Sequence, residues 1–318
     1  MAEKAAVGID LGGTKLAGAL VSATGEILAR REEPTRKERG PDAVVASMAA
    51  LVVGLEETAR KLGCAVIGTG VGAPGPIDPE TGVVWAMPNM GPEWTRYPVT
   101  KKLQAALPGH KVEVENDANA AMQGEAWIGA AAGVRDAILL TLGTGVGGGI
   151  VASGQLIRGW KGVGAELGHM IVERNGRTCG CGGRGCLEQY ASGTAVGRAA
   201  AEAVAKTPSG ALSSLGRVPD AHDAVAAARA GDELASRVLR EAGTMLGSGI
   251  VSMLHALNPR VVVIGGGFGN AAFDLLIPHA RAEIDRSAME ASREGLEIVR
   301  AKLGPDAGVV GAARSVLS

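Results

Sequence analysis

The sequence predicts an α/β fold of two related lobes facing one another across a cleft. Three observations carry this. A unit of strand, glycine-rich loop, strand, turn and strand occurs twice, first from residue 5 to 31 and again from 137 to 158. Helical segments follow each copy, and Asp10-Leu11-Gly12-Gly13-Thr14 lies over Thr141-Leu142-Gly143-Thr144-Gly145. The chain has 318 residues, enough for two ordinary cores. A repeated hairpin unit backed by helices brings its two glycine loops together in the cleft, which suits a ligand with several phosphates.

The elements follow in order. Ala5 to Gly12 reads as a short buried strand, Leu16 to Val21 as a second, and Glu26 to Arg31 as a third after the Thr24-Gly25 turn. Pro41 opens a helix running to about Leu62, with Val44, Met48, Leu51, Val52 and Leu55 on one face and Gly63 as its stop. A strand over Val66 to Val71 ends in Gly72-Ala73-Pro74-Gly75. Val112 to Val114 leads into Glu115-Asn116-Asp117-Ala118-Asn119-Ala120 and an alanine-rich helix. In the second copy, strands are expected over Ala137 to Leu142, Ile150 to Ala152 and Gln155 to Arg158. Leu234 to about Leu257 has the period of an amphipathic helix, stopped by Asn258-Pro259. The apolar run Val261 to Ile264 is a buried strand opening onto Gly265-Gly266-Gly267, where a nucleotide base could lie beyond the carboxyl end. Leu296 to Arg300 and a helix over Asp306 to Leu317 finish the chain, and Lys206 to Gly216 is the loop candidate. The expected division is a smaller lobe of residues 1–117, joined by the C-terminal helix from about 304 to 318, and a larger lobe of residues 118–303.

Composition narrows the function classes. With 46% hydrophobic and 20% charged residues, the chain should fold throughout. Lys plus Arg number 32 against 33 Asp plus Glu, a net charge of −1, which supplies no general field for nucleic acid or an anionic membrane. No stretch approaches the roughly 18 apolar residues of a spanning helix. Met1 to Lys4 runs directly into the first strand without room for a signal peptide, so a cytoplasmic protein is expected. Glycine is abundant at 49 residues, which points to tight turns and close backbone approaches.

The glycine loops carry the first chemical signal. Gly143 to Gly148 formally matches a dinucleotide fingerprint, but β-branched Ile150-Val151 follows where that fingerprint requires a helix. A hairpin phosphate loop fits better, with backbone N–H groups and the hydroxyls of Thr14 and Thr144 as donors. Either loop taken singly could also be no more than a turn. Asp10 ends an apolar strand, where a carboxylate is costly unless paired or beside a metal. A magnesium-linked role is one reading, and a hydrogen-bonded turn residue is the other. Asp117 lies at a strand-to-helix junction and is read as a helix N-cap or as a catalytic carboxylate.

His169, Cys179, Cys181 and Cys186 gather three of the four cysteines within 18 residues, among Gly180, Gly182, Gly183 and Gly185. Thiolates and an imidazole in this number suit tetrahedral zinc, and four protein ligands make the site structural. Such a zinc would organise the loop that carries Glu166, His169 and Glu188. Cys64 stands apart and is read as a small buried hydrophobe.

Together these residues resemble the ROK family (repressors, open reading frames and sugar kinases) of the actin and hexokinase superfamily. The likeness covers nearly the whole chain, through Asp10-Leu11-Gly12-Gly13-Thr14-Lys15, Gly72 to Gly75, Glu115 to Ala120, Leu142 to Gly145, Gly164 to His169, Cys179 to Glu188 and Gly265 to Gly267. The resemblance implies a two-lobed actin-like ATPase (ribonuclease H-like) fold and commonly a homodimer. It implies that Gly75, Asn89, Asn116, Asp117, Glu166, His169 and Glu188 bind the sugar, with Asp117 as catalytic base. Phosphate or ATP binding would fall to Asp10, Gly12, Gly13, Thr14, Lys15, Gly143, Thr144, Gly145, Gly265, Gly266 and Gly267. The expected reaction is transfer of the γ-phosphoryl of ATP, with Mg2+, to the 6-hydroxyl of a hexose, glucose first. Other hexoses or N-acetylhexosamines are the alternative acceptors, and polyphosphate the alternative donor. A sugar-sensing repressor of the family would need a helix-turn-helix segment ahead of Asp10, where only nine residues stand. A non-catalytic sugar binder would be expected to lack the phosphate loops or the base, and both are present.

Overall fold

The computed structural model describes residues 2–87 and 89–317. Strands β1 (Glu3–Leu11), β2 (Lys15–Ser22) and β3 (Ile27–Pro34) form an antiparallel meander. Helix α1 (Pro41–Lys61), strand β4 (Cys64–Ala73), helix α2 (Val99–Ala106) and strand β5 (Val112–Asn116) follow. Strand β4 joins β1 in parallel and β5 joins β4 in parallel, giving the order β3-β2-β1-β4-β5.

Helix α3 (Asp117–Trp127) leads to β6 (Ala137–Leu142), β7 (Val146–Ala152) and β8 (Gln155–Leu156). A helical region of α4 (Glu188–Ala191), α5 (Gly193–Lys206), α6 (Gly210–Ser213), α7 (Ala221–Arg229) and α8 (Glu233–Leu257) comes next. Strand β9 (Val261–Gly265), helices α9 (Gly267–Ser287) and α10 (Glu290–Arg293), strand β10 (Glu297–Arg300) and helix α11 (Ala307–Leu317) complete the chain. The second sheet is ordered β10-β9-β6-β7-β8, strand for strand the order and sense of the first. The repeat read from the sequence is therefore a repeat of topology.

Each sheet has its own core. Leu16, Leu20, Met48, Leu55, Trp94 and Leu103 belong to the first, and Ile138, Leu140, Leu246, Ile250, Val262 and Leu276 to the second. Helix α11 returns to pack on the first sheet with Val309, Val310 and Ala313 against Ala6, Ala19 and Val21. Helix α3 lies on the second sheet, with Ala121 and Met122 against Leu139 and Val151. The two helices meet almost backbone to backbone: a Cβ on Gly311 would fall 1.6 Å from the Ala120 carbonyl oxygen, and one on Gly124 2.6 Å from that of Ala307. Only glycine permits this approach, so part of the glycine excess belongs to the joint between the sheets. Glu125 is fully buried there, and its carboxylate accepts the backbone N–H groups of Ala130, Lys302 and Leu303 at 2.6, 3.1 and 2.8 Å. These bonds satisfy a charge that would otherwise be costly to bury.

Some boundaries differ from the sequence reading. Strand β8 ends at Leu156 instead of Arg158, because a loop stapled by the Gly164 N–H to Arg158 carbonyl bond (2.8 Å) takes the chain off the sheet edge. The expected loop over 206–216 contains the single turn α6. Cys64, at the open start of β4, is half-exposed and not the buried hydrophobe expected. No helix among the described residues is long and apolar enough to cross a membrane.

Candidate active site

Both glycine loops are tight hairpin turns. In the first, Gly12 N–H donates to the Lys15 carbonyl at 2.9 Å, while Thr35 pins the loop through its N–H to Thr14 O (3.0 Å) and its hydroxyl to Gly12 O (2.6 Å). In the second, Gly143 N–H donates to Gly145 O at 2.9 Å. Lys15 turns its ammonium to Glu32 on β3 at 3.0 Å, half-exposed, along the outer strand. Asp10 lies one residue before the end of β1, where burial pushes its carboxyl up and Lys15 partly opposes the rise.

A cavity of about 700 Å³ opens beside the second loop. Gly143, Thr144, Gly267 and Phe268 line it, as do Thr194 and Arg198 from α5. The N-termini of α5 and α9 both border this cavity, and their positive dipole ends suit an anionic ligand. Gly266 stands at φ +80 with its absent Cβ 2.3 Å from Leu142 O, so the β9–α9 turn can pass the hairpin only as glycine. Thr194, Arg198 and Phe268 were not foreseen from the sequence. The available signal was Ser192-Gly193-Thr194, a helix start in which the Ser192 hydroxyl accepts from Ala195 N–H at 3.1 Å. A smaller cavity of about 230 Å³ has Asp10, Asp117, Thr141, Gly265 and Gly266 in its walls, so the two carboxylates share one space at the joint.

Asp117 is the first residue of α3, not its cap. Asn116 is the N-cap: its Oδ1 accepts from Ala118 and Asn119 N–H at 3.0 and 3.1 Å, and its Nδ2 donates to Gly75 O at 3.1 Å. Asp117 Oδ1 accepts from Ala118 N–H at 2.7 Å. Burial, with lesser contributions from the charges of Asp10 and Glu166, pushes the Asp117 carboxyl up to about 6. Such a group is a stronger base than an ordinary aspartate and still ionised at neutral pH.

Glu166, His169 and Glu188 gather on the far side of the second hairpin. Burial raises the Glu166 carboxyl, His169 opposes the rise and Glu188 adds to it. Glu188 Oε2 accepts from Val146 N–H at 3.0 Å, and a Cβ on Gly145 would lie 2.4 Å from that oxygen. One carboxylate is thereby fastened to the second glycine loop itself. Asn89 stands apart from this group. It is exposed, its carbonyl accepts from Lys37 Nζ at 2.5 Å, and among the described residues no hydrogen bond joins it to Asn116 or Asp117.

The donor atoms of His169, Cys179, Cys181 and Cys186 all lie within 4.8 Å of one another. Cys181 and Cys186 sulfurs are 3.7 Å apart, and Cys179 Sγ is 3.7 Å from His169 Nδ1. A tetrahedron with Zn–S bonds of about 2.3 Å has edges of about 3.8 Å, so the four donors fit that ion.

The chain matches the ROK family over residues 6–318. It is 39% identical to a glucokinase of Thermotoga maritima over 310 residues, covering 96% of this chain and 95% of that one. It is 38% identical to a glucokinase of Halalkalibacterium halodurans over 317 residues, covering 98% and 94%. Among solved structures, a ROK family glucokinase from Streptomyces griseus in complex with glucose and AMPPNP aligns with a TM-score of 0.81 at 35% identity, covering 98% of both chains. Two sheets of one topology, an Asn-Asp turn at their joint and a Cys3His cluster beside it accompany these matches, and the protein belongs to the ROK family.

Proposed function

We infer that the protein is an ATP-dependent hexokinase that transfers the γ-phosphoryl of ATP to the 6-hydroxyl of glucose. The observation that carries this is Asp117, raised to about 6 and sharing a cavity with Asp10 at the meeting of the two sheets, near both glycine loops. A phosphoryl-transfer enzyme chiefly positions its reactants and stabilises charge, and little else is asked of the protein. Asp117 takes the proton of the 6-hydroxyl as the hydroxyl oxygen attacks the γ-phosphorus and the bond from that phosphorus to the β–γ bridging oxygen breaks, releasing ADP. Asn116, Glu166, His169 and Glu188 hold the other sugar hydroxyls beside the Gly75 loop, and Asn89, which stands apart from them, would join only as the lobes close. Gly12, Gly13 and Thr14 face the transferred phosphate from one side and Gly143, Thr144 and Gly145 from the other, while Lys15 would have to leave Glu32 to reach it. The nucleoside occupies the 700 Å³ cavity, with Gly267 in its wall, while Gly265 and Gly266 line the smaller cavity that holds Asp10 and Asp117. Asp10 would hold the Mg2+ that accompanies ATP, or its water, and the ion would neutralise charge on the phosphates.

Glucose is favoured by the two glucokinase relatives and by the solved relative that holds glucose with AMPPNP. A site of Asn, Asp, Glu and His discriminates sugars by hydroxyl, since a missing hydroxyl leaves a buried polar partner unsatisfied. Zinc on His169, Cys179, Cys181 and Cys186 is structural in this reading. In this reading a lobe of residues 1–117 with 304–318 and a lobe of residues 118–303 close on the substrates. A homodimer, a cytoplasmic setting and supply of glucose 6-phosphate to glycolysis complete the reading.

A coupled assay of ADP release with ATP, Mg2+ and a panel of hexoses tests it. Turnover should be highest with glucose and lower by ~10²–10⁴-fold in Asp117→Asn. Preference for another hexose or an N-acetylhexosamine would replace the substrate, turnover with polyphosphate alone would replace the donor, and no turnover with any pair would remove the kinase reading.

A further inference from the structure

Arg158 begins the loop that leaves β8 and delivers Glu166. The loop closes on itself through Gly164 N–H to Arg158 O, and it rests on the segment between β4 and α2. Trp85 Nε1 donates to Lys161 O at 3.1 Å, and a Cβ on Gly162 would lie 1.7 Å from Ile77 O. It ends in Ala165 at φ +63, left-handed backbone that a non-glycine residue holds only under outside restraint.

That restraint begins at Arg158 itself. Its Nε forms an ion pair with Glu115 Oε2, and Glu115 is only 7% exposed. The other Glu115 oxygen accepts the Asn116 N–H at 3.0 Å and the Asn119 Nδ2 at 3.1 Å. One carboxylate thus holds the turn that bears Asp117 with one oxygen and the loop that bears Glu166 with the other.

The geometry points to Glu115 and Arg158 as a pair of positioning residues that lock the Asn116-Asp117 turn to the Glu166 loop. The pair sets the base and a sugar ligand in one register across the joint; this rests on the reading of Asp117 and Glu166 given above. Removing the guanidinium leaves a buried carboxylate oxygen unpaired, and the carboxylate must then turn or take up water. Either movement reaches Asn116 through its N–H. A displacement of about 1 Å at a reacting group can lower the rate by ~10²-fold.

The test measures kcat and separate KM values for sugar and ATP in Arg158→Met, Arg158→Lys, Glu115→Gln and the double variant Glu115→Gln/Arg158→Met, beside Asp117→Asn. The Arg158 side chain is 40% exposed, so Arg158→Met keeps the apolar stem and should fold. Glu115→Gln keeps an acceptor for Asn116 but turns an amide donor toward Arg158. The expected result is a fall of ~10–10²-fold in kcat/KM for sugar in Arg158→Met, with ATP KM within about twofold of the parent. Arg158→Lys should recover part of the loss, and the double variant should be no worse than the more impaired single. Sugar parameters within about twofold of the parent in Arg158→Met, or losses that simply add in the double variant, would overturn the proposal while an inactive Asp117→Asn left the kinase reading standing. An active Asp117→Asn would remove the base assignment, and the positioning pair with it.

Discussion

His169 faces Glu166 with one ring nitrogen and the cysteine cluster with the other: Nε2 lies 3.9 Å from Glu166 Oε2, and Nδ1 lies 3.7 Å from Cys179 Sγ. The sequence assigned this histidine both to a metal and to a sugar, and the ring has a separate nitrogen for each direction. A ligand on Nδ1 leaves Nε2 as the N–H that can donate to a carboxylate or a sugar oxygen.

Metal removal should therefore be felt first as a loss of sugar binding. Treatment with a strong chelator, or Cys181→Ser, is expected to lower bound zinc and to raise sugar KM by ~10-fold or more, with a smaller change in ATP KM. Metal analysis beside the kinetics checks this. Full sugar affinity in zinc-free, folded protein would show that the cluster does not order the site.

Asp117→Asn should separate activity from stability. Turnover is expected to fall by ~10²–10⁴-fold, the usual contribution of a positioned base. Stability is expected to move the other way. The folded pKa, about 6, lies above the ordinary 3.8, so the protonated form is favoured in the folded state. That advantage is complete below 3.8 and is lost as pH rises through 6, leaving the ionised group a burden at pH 8. Asparagine carries no such charge and should stabilise by at most ~3 kcal/mol, read as a higher melting temperature at pH 8 with little gain near pH 4.

The same shift sets the acid limb of the rate profile. With sugar varied, kcat/KM should fall about tenfold per unit below pH 6, as protonation removes the base. An acid limb near 4 would mean that Asp117 titrates as an ordinary aspartate or is not the base.

Gly311→Ala tests the joint. The new methyl carbon would fall 1.6 Å from Ala120 O, which belongs to backbone that cannot swing aside. Helices α11 and α3 must separate, so a loss of ~1–3 kcal/mol or more is expected in denaturant unfolding. Because α3 begins at Asp117, activity should fall as well. A variant as stable as the parent would mean that the helices slide freely there.

Much was legible in the sequence because it depends on residues near one another in the chain. The repeat of Asp10-Leu11-Gly12-Gly13 and Thr141-Leu142-Gly143-Thr144 announced two hairpins of one kind, since a tight turn between alternating apolar runs is a local property. The spacing of Cys179, Cys181 and Cys186 announced a cluster of thiols in one short loop for the same reason. Asn116 as cap in place of Asp117 was within reach of local reasoning but ambiguous, because either residue can accept from the next turn. Other features needed contacts between distant segments. The Arg158 to Glu115 pair spans 43 residues. Arg198 and Phe268, in α5 and α9, meet at one cavity only because both helices end against the second hairpin. The crossing of α3 on α11 makes Gly124 and Gly311 obligatory, and nothing in the local sequence of either helix demands glycine. Hydrophobic period and turn chemistry were written along the chain, whereas close packing and buried pairing depend on which surfaces the fold presses together, and the tertiary structure alone decided those.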